Sequence, residues 1–351
     1  MFGILFLMCY YFYMENLKEL KKAFQKRNFY TTKDSGSVFL YSLLLPLILG
    51  FLFIYVFFMI ISATGASFDP EANIAQELLD SYVWVGVVFA MLSQLVFLGI
   101  YFAYNKINRI SQKSANFSFK KADVKTSLLS VFLGIFFVCC AILLIECCFG
   151  EFFKVIGVNG GGSSIPLDNV GWLFVNLLIL GILPAVSEEL LFRGVIFQGL
   201  KEKFSPTVSI LLNGLIFALV HQNIQQFIYP FALGCVLALV MQRTNNLLYP
   251  ILIHTFNNFS TIILSYLINI NVISLSFNIT WWFVLIAIVL AGVGGLVFWL
   301  VDKYYLRKKK VEFEKEGELI QSPPISFGKF PLTMIFGAVI SIILIVINAI
   351  G

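Results

Sequence analysis

Three charged residues interrupt a long apolar stretch of the chain: Glu188, Glu189 and Arg193, within the sequence Pro-Ala-Val-Ser-Glu-Glu-Leu-Leu-Phe-Arg-Gly. Charged side chains are costly where lipid replaces water, so their presence in such a stretch indicates a functional or structural requirement. Glu189 and Arg193 are four residues apart, so on a helix they share a face and can form an ion pair. Glu188 is turned about 100° away from Glu189 on an ideal helix. The spacing predicts a structural pair, Glu189 with Arg193, and one free acid, Glu188.

The chain has only two histidines, His221 and His254, and both lie in apolar runs. His221 follows Phe217 by four residues, about 22 Å from the inner end of its helix at 1.5 Å per residue. The same count places Glu188 about 18 Å from the inner end of its own helix. Asn258 falls on the same helical face as His254, four residues later. Similar depths predict that these side chains form one polar cluster in the membrane.

Such a cluster supports hydrolytic chemistry. A carboxylate beside an imidazole can take a proton from water and so produce a nucleophile. A second histidine and an amide can donate hydrogen bonds to the oxyanion that forms on an attacked carbonyl. Glu188, His221 and His254 can instead bind a divalent metal such as zinc, which acidifies its bound water, although the HExxH pattern is absent. The further alternative is that both acids and Arg193 form only a structural ion cluster.

The elements that must position these residues are transmembrane helices. Of the 351 residues, 59% are hydrophobic and 12% are charged, and the mean hydropathy is +0.90. A soluble domain carries about a quarter charged residues. Most of the apolar runs meet the requirement of about 20 residues for a spanning helix; they lie near 37–64, 81–104, 126–149, 170–200, 206–221, 227–242, 247–268, 279–301 and 330–350. The pattern predicts an all-α polytopic transmembrane bundle with about eight or nine spanning helices.

Two features of these runs are specific predictions. The run from Val170 to Leu200 is interpreted as one unbroken helix, roughly 46 Å long, which Pro184 bends without ending. The runs 206–221 and 227–242 are short, so they must pack closely against neighbouring helices.

Basic residues give the orientation, because they concentrate in cytoplasmic loops. If residues 15–36 are inside, each run crosses once and residues 187–205 are counted with the inside segments, 23 of the 24 Lys and Arg residues are inside, and only Lys154 is outside. This predicts nine crossings of the cell membrane, with the N-terminus in the cytoplasm and the C-terminus outside.

Polar residues within spans, such as Gln94 and Asn176, are predicted to form hydrogen bonds between helices.

The three motifs Glu-Glu-x-x-x-Arg, Phe-x-x-x-His and His-x-x-x-Asn, in this order and in separate apolar helices, resemble one known family. This is the CAAX-protease and bacteriocin-processing family (CPBP, also called Abi) of intramembrane proteases, related to the type II CAAX prenyl endopeptidase. The resemblance covers roughly residues 165–270. Carried over by position, it implies three groups of residues: a water-activating pair, Glu188 and His221; structural partners, Glu189, Arg193 and Phe217; and an oxyanion site, His254 and Asn258.

With this resemblance, the chain divides into four segments. Residues 1–36 form an N-terminal interfacial or cytoplasmic segment, in which the apolar stretch 1–14 is too short to span comfortably. Residues 37–165 form the N-terminal transmembrane helices, 166–270 form the catalytic core, and 271–351 form the C-terminal helices with a basic cytoplasmic loop.

The resemblance implies an intramembrane peptidase, glutamate-type or metal-dependent, whose partners are the lipid bilayer and a peptide or membrane-protein substrate. A composition rich in Phe, Ile, Lys and Asn resembles that of low-GC bacteria, which favours a bacterial precursor over a prenylated protein. No nucleic-acid partner is expected. The alternative function is a non-hydrolytic membrane scaffold, a bacteriocin-immunity factor or a transporter with a polar relay. The lack of repeated Gly/Pro-broken helices counts against the transporter.

Overall fold

The structure is a computed structural model that describes residues 27–64, 82–118, 122–145, 165–224, 227–273, 281–315 and 330–350. Within these ranges the chain forms nine long helices and no strand, so the predicted all-α bundle is confirmed. The apolar stretch 1–14, predicted to be interfacial, lies outside the described residues.

The helices match the predicted apolar runs in order and position. They are α1 Thr32–Ala63, α2 Val83–Ile107, α3 Val124–Ile145, α4 Val170–Leu200, α5 Pro206–Val220, α6 Ile228–Thr244, α7 Leu248–Asn269, α8 Trp281–Val301 and α9 Leu332–Ile350. In the described part of the chain, six helices (α1, α2, α4, α7, α8 and α9) are long and apolar enough to cross a membrane. The chain is therefore an integral multi-pass membrane protein, and the count of nine crossings stays a prediction.

Helix α8 continues beyond the predicted membrane run. A π-helical turn, Asp302–Leu306, joins it to a further helical segment, Arg307–Lys315. Asp302 stabilises this turn because its carboxylate accepts hydrogen bonds from Arg243 at 2.7 Å and from Arg307 at 2.9 Å. The basic cytoplasmic loop predicted after residue 301 is therefore helical as far as Lys315.

Helix α4 runs without interruption for 31 residues from Val170 to Leu200, as predicted. A π-helical turn, Leu177–Ile182, directly precedes Pro184. Proline has no N–H group, so it cannot donate to the carbonyl four residues earlier, that of Leu180. The side-chain amide of Asn258 on α7 donates to this carbonyl instead, at 3.2 Å. A neighbouring helix thus donates to the carbonyl that lacks its usual donor because of Pro184, and α4 continues through the proline without ending.

A second π-helical turn in α4, Phe192–Ile196, is also stabilised by side chains of neighbouring helices. Asn213 on α5 donates to the carbonyl of Phe192 at 2.8 Å, and Ser35 on α1 donates to that of Ile196 at 2.8 Å. The Phe192 carbonyl also accepts from the N–H of Phe197 within α4, so the bond from Asn213 is a second one to the same oxygen. The two side-chain bonds link α1 and α5 to the acid-bearing helix.

The short helices α5 and α6 pack tightly, as predicted for runs of their length. Gly214 on α5 faces Gly234 on α6, and a Cβ atom added at Gly234 would lie 2.8 Å from the Gly214 Cα atom. Small residues allow helix backbones to approach closely in membranes. The approach also leaves the Gly234 carbonyl within 3.1 Å of Arg193 Nη2. The glycine pair therefore contributes directly to the charged cluster on α4.

The first turn of α1 is fixed against the C-terminal end of α4. Thr31 and Asp34 form a reciprocal capping box at the start of α1, which satisfies N–H groups of its first turn. Thr32 donates its hydroxyl proton to the Gly199 carbonyl at 3.1 Å, and its N–H donates to Glu202 at 2.6 Å. One buried apolar cluster includes residues from α1, α2, α4, α5, α6, α7 and α9. The division into four sequence segments stays a prediction.

Candidate active site

Glu189 is the centre of a buried ionic cluster. Its Oε1 atom accepts hydrogen bonds from Arg193 Nη1 at 2.7 Å and from His254 Nδ1 at 2.8 Å. The side chains of Glu189 and Arg193 are fully buried, and that of His254 is 5% exposed. The predicted pair between Glu189 and Arg193 is therefore formed, and the structure adds His254 as a third member.

Phe217 on α5 packs against this cluster. The Arg193 guanidinium carbon lies 4.4 Å from the centroid of the Phe217 ring, a distance at which a cation is attracted to an aromatic face. The same ring makes edge contacts with both imidazoles, with centroid distances of 4.9 Å to His221 and 5.9 Å to His254. Phe217 thus lies between the two histidines and contacts the arginine as well.

Glu188 makes no hydrogen bond within this cluster, although its charge acts on Arg193 through space. It lines a cavity of about 490 Å³ together with His221. No described group donates a hydrogen bond to its carboxylate, and the residue is 9% exposed. The structure therefore places a free carboxylate and an imidazole, from different helices, on the wall of one cavity.

The hydrogen bond of His221 determines which ring nitrogen is available. Helix α5 ends at Val220, and His221 is its C-cap residue. His221 Nδ1 lies 2.8 Å from the Phe217 carbonyl oxygen. A carbonyl oxygen can only accept, so Nδ1 carries the proton. In the neutral ring Nε2 then has a lone pair and can accept a hydrogen bond from water.

The rest of the cavity wall is mostly apolar and comes from α1 and α2. The exceptions include Gln94 on α2, whose Oε1 atom accepts a hydrogen bond from Ser187 at 2.6 Å. The hydrogen bond between helices predicted for Gln94 is thus confirmed. The corresponding prediction for Asn176 is wrong, because its amide donates to Trp172 in its own helix and to Pro166 in the segment before it.

His254 and Asn258 lie behind the cavity, and neither belongs to the described side chains that line it. The Asn258 amide donates to the Leu180 carbonyl, as described above. His254 donates its Nδ1 proton to Glu189, so Nε2 carries a proton only when the ring is an imidazolium. An oxyanion contact from His254 therefore requires that charged form. The oxyanion role of both residues stays a prediction.

The zinc alternative is not supported by the described geometry. Among the described residues, no three His, Cys, Asp or Glu side chains group as a ligand set. Glu188 and His221 line the cavity, whereas His254 is not among the described side chains that line it. The predicted set of Glu188, His221 and His254 is thus divided between two environments, and no catalytic step is assigned to a metal.

Fold and site together define a multi-pass helical membrane protein in which a glutamate and a histidine from separate helices share one cavity. Residues 170–260 match a family model described as Rce1-like, the type II CAAX prenyl endopeptidase Rce1-like family. This match confirms the resemblance to the CPBP family that the three motifs indicate, and it supports an intramembrane protease of the CAAX type in general. No curated protein and no solved structure matches the chain significantly.

Proposed function

We propose that this protein is an intramembrane endopeptidase in which Glu188 and His221 activate a water molecule. One observation carries the proposal: these two side chains line the same cavity, whereas the adjacent acid Glu189 is bound by Arg193 and His254. A carboxylate without a hydrogen-bonding partner can accept a proton, whereas one that neutralises a buried arginine is structurally committed.

The proposed reaction uses Glu188 as the base and His221 as its partner. His221 Nε2 accepts one hydrogen bond from the water, and Glu188 takes the other proton as the oxygen attacks the scissile carbonyl. The new carbon–oxygen bond forms while the carbonyl π electrons move onto its oxygen. When this tetrahedral intermediate collapses, the carbon–nitrogen bond breaks and Glu188 returns the proton to the amine. The products are a carboxylic acid and an amine.

The cavity and the matching family support the substrate class that we propose. The walls from α1 and α2 are mostly apolar, which suits an apolar segment of a membrane-associated protein or peptide precursor. The family description names prenyl endopeptidases, so a prenylated peptide is a second substrate form to test. We place the protein in the cell membrane, with its N-terminus in the cytoplasm and its C-terminus outside, and we assign the water-activating pair, Glu188 and His221, to a catalytic core at residues 166–270.

Peptide cleavage by purified protein in detergent tests this proposal. An internally quenched peptide with an apolar segment is offered in two forms, with and without an S-farnesyl cysteine. Wild-type protein is expected to cleave at least one form, and Glu188→Gln and His221→Phe are expected to abolish cleavage. Asp168→Asn, at an exposed acid near the start of α4, serves as the control and retains activity.

Two results would contradict the proposal. The first is that wild-type protein cleaves neither form of the peptide. The second is that both Glu188→Gln and His221→Phe retain wild-type cleavage. If cleavage is lost in these variants but the biological activity of the gene is retained, the non-hydrolytic scaffold is the better description.

A further inference from the structure

The cavity that contains Glu188 is completed by helices outside the segment that matches the family model. That segment is residues 170–260, whereas α1 and α2 supply most of the remaining wall. These two helices contribute apolar side chains, glycine, proline, two serines and one amide, that of Gln94. Among the described side chains that α1 and α2 contribute to this wall, Gln94 is therefore the one with N–H groups that can donate to a peptide carbonyl.

The orientation of the Gln94 amide is fixed by the residue next to the proposed base. Ser187 directly precedes Glu188 in α4, is fully buried, and donates its hydroxyl proton to Gln94 Oε1 at 2.6 Å. Because Oε1 accepts this proton, the Nε2 group lies on the other side of the amide, away from Ser187. No described group accepts a hydrogen bond from Nε2, so its two N–H groups are available to a molecule in the cavity.

The other side-chain amides near the site are less suitable donors. The Asn258 amide donates to the Leu180 carbonyl of α4. Gln222 lines the cavity, but no described group hydrogen-bonds its side chain and so fixes its direction. Of these three amides, Gln94 is the one that combines unused N–H groups with an orienting bond, from Ser187, the residue before Glu188. Donors that are fixed before the reaction stabilise a developing charge more effectively than mobile ones.

We infer that Gln94 Nε2 donates a hydrogen bond to the scissile carbonyl oxygen and stabilises the oxyanion. This inference rests on the proposed function, because it concerns the same hydrolysis. Gln94 acts when the water oxygen bonds to the carbonyl carbon and the π electrons move onto the carbonyl oxygen. It transfers no proton. Ser187 acts through Gln94 and is a positioning residue.

Steady-state kinetics of Gln94→Met, with the same quenched peptides, tests the inference. Methionine has a similar length but no N–H donor. Loss of one oxyanion donor costs a factor on the order of 10²–10³ in kcat, and KM is expected to stay close to the wild-type value. Ser187→Ala is expected to lose less, roughly tenfold, because Gln94 remains but is no longer oriented. Ser130→Ala is the matched control, since the buried Ser130 hydroxyl donates within its own helix, to Thr126.

Each outcome decides a different point. If wild-type protein cleaves the peptide and Gln94→Met retains its kcat, the role of Gln94 is refuted and the proposed function is unaffected. A raised KM with unchanged kcat also refutes it, because the contact then serves only substrate binding. If Gln94→Met does not fold, Ser187→Ala decides, and an unchanged kcat in that variant refutes the inference. If wild-type protein cleaves neither peptide, the proposed function itself fails.

Discussion

The adjacent acids Glu188 and Glu189 should respond in opposite ways to the same substitution. Each is changed to glutamine, which keeps the shape and removes the charge. Glu188→Gln is expected to abolish cleavage and to lower stability much less than Glu189→Gln, because no described group hydrogen-bonds its carboxylate and it acts on Arg193 only through space. Glu189→Gln is expected to destabilise the protein, because its carboxylate neutralises Arg193 in a fully buried pair.

The magnitude follows from the contacts of Glu189. Both of its hydrogen bonds, from Arg193 at 2.7 Å and His254 at 2.8 Å, reach the Oε1 atom, whereas Oε2 is buried without a described partner. A glutamine oxygen can replace Oε1 in both bonds, so the main loss is the negative charge. Removing one partner of a buried ion pair costs about 3–5 kcal/mol. For 351 residues, the unfolding entropy per residue converts this to a Tm decrease of about 4–7 °C.

Thermal unfolding of the purified variants in detergent, together with the cleavage assay, measures both effects. The double variant Glu189→Gln/Arg193→Met is the internal test. Removing both charges of a buried pair is far less costly than removing one, so its Tm should recover part of the loss. Equal Tm values for Glu188→Gln and Glu189→Gln would refute the separation of a free acid from a structural one. So would full cleavage activity in Glu188→Gln.

Three further predictions concern α4, the metal and the response to pH. Asn258→Ala should destabilise the protein by about 1–3 kcal/mol, because it leaves the Leu180 carbonyl unsatisfied. The same change should cost less in a Pro184→Ala background, which restores an N–H donor, and equal Tm losses would contradict this. Cleavage should survive treatment with a chelator; loss that added zinc restores would contradict the assignment to Glu188 and His221. Burial raises the pKa of the Asp123 carboxyl, whereas hydrogen bonds from Thr126 lower it. The resulting pKa lies below the ordinary value of an aspartate. The stability from Asp123 is therefore present above an unfolded pKa of about 3.9 and lost as pH falls through the folded pKa. The Tm difference between wild-type and Asp123→Asn protein should shrink on acidification.

Features set by local pattern could be predicted from the sequence. The apolar runs gave the order and position of the nine helices, and α4 has its predicted bounds, Val170–Leu200. The pairing of Glu189 with Arg193 follows from a spacing of four residues, which is a property of any helix. The turn of about 100° between adjacent helical residues likewise predicts that Glu188 faces away from this pair, and no described hydrogen bond joins Glu188 to it.

Features set by contacts between distant helices could not be predicted. His254 bonds to Glu189 from 65 positions away, and no pattern indicates which acid it contacts. Asn258 is similar: its amide binds a backbone carbonyl on α4, 78 positions away, that is free because of a proline. The motif spacing places His254 and Asn258 near the site but does not show which groups they bond.

The cavity shows that the segment matching the family model does not form the site by itself. Residues 170–260 carry Glu188, His221 and the buried cluster, but α1 and α2 close the cavity around them. A side chain of α1 also bonds to the backbone of α4: Ser35, in the first turn of α1, donates to the carbonyl of Ile196, the last residue of a π-helical turn. The backbone of α4 thus connects the charged motif to α1, one of the two helices that line the cavity, and substitutions of the apolar side chains that α1 and α2 contribute to the cavity wall should change which peptides are cleaved.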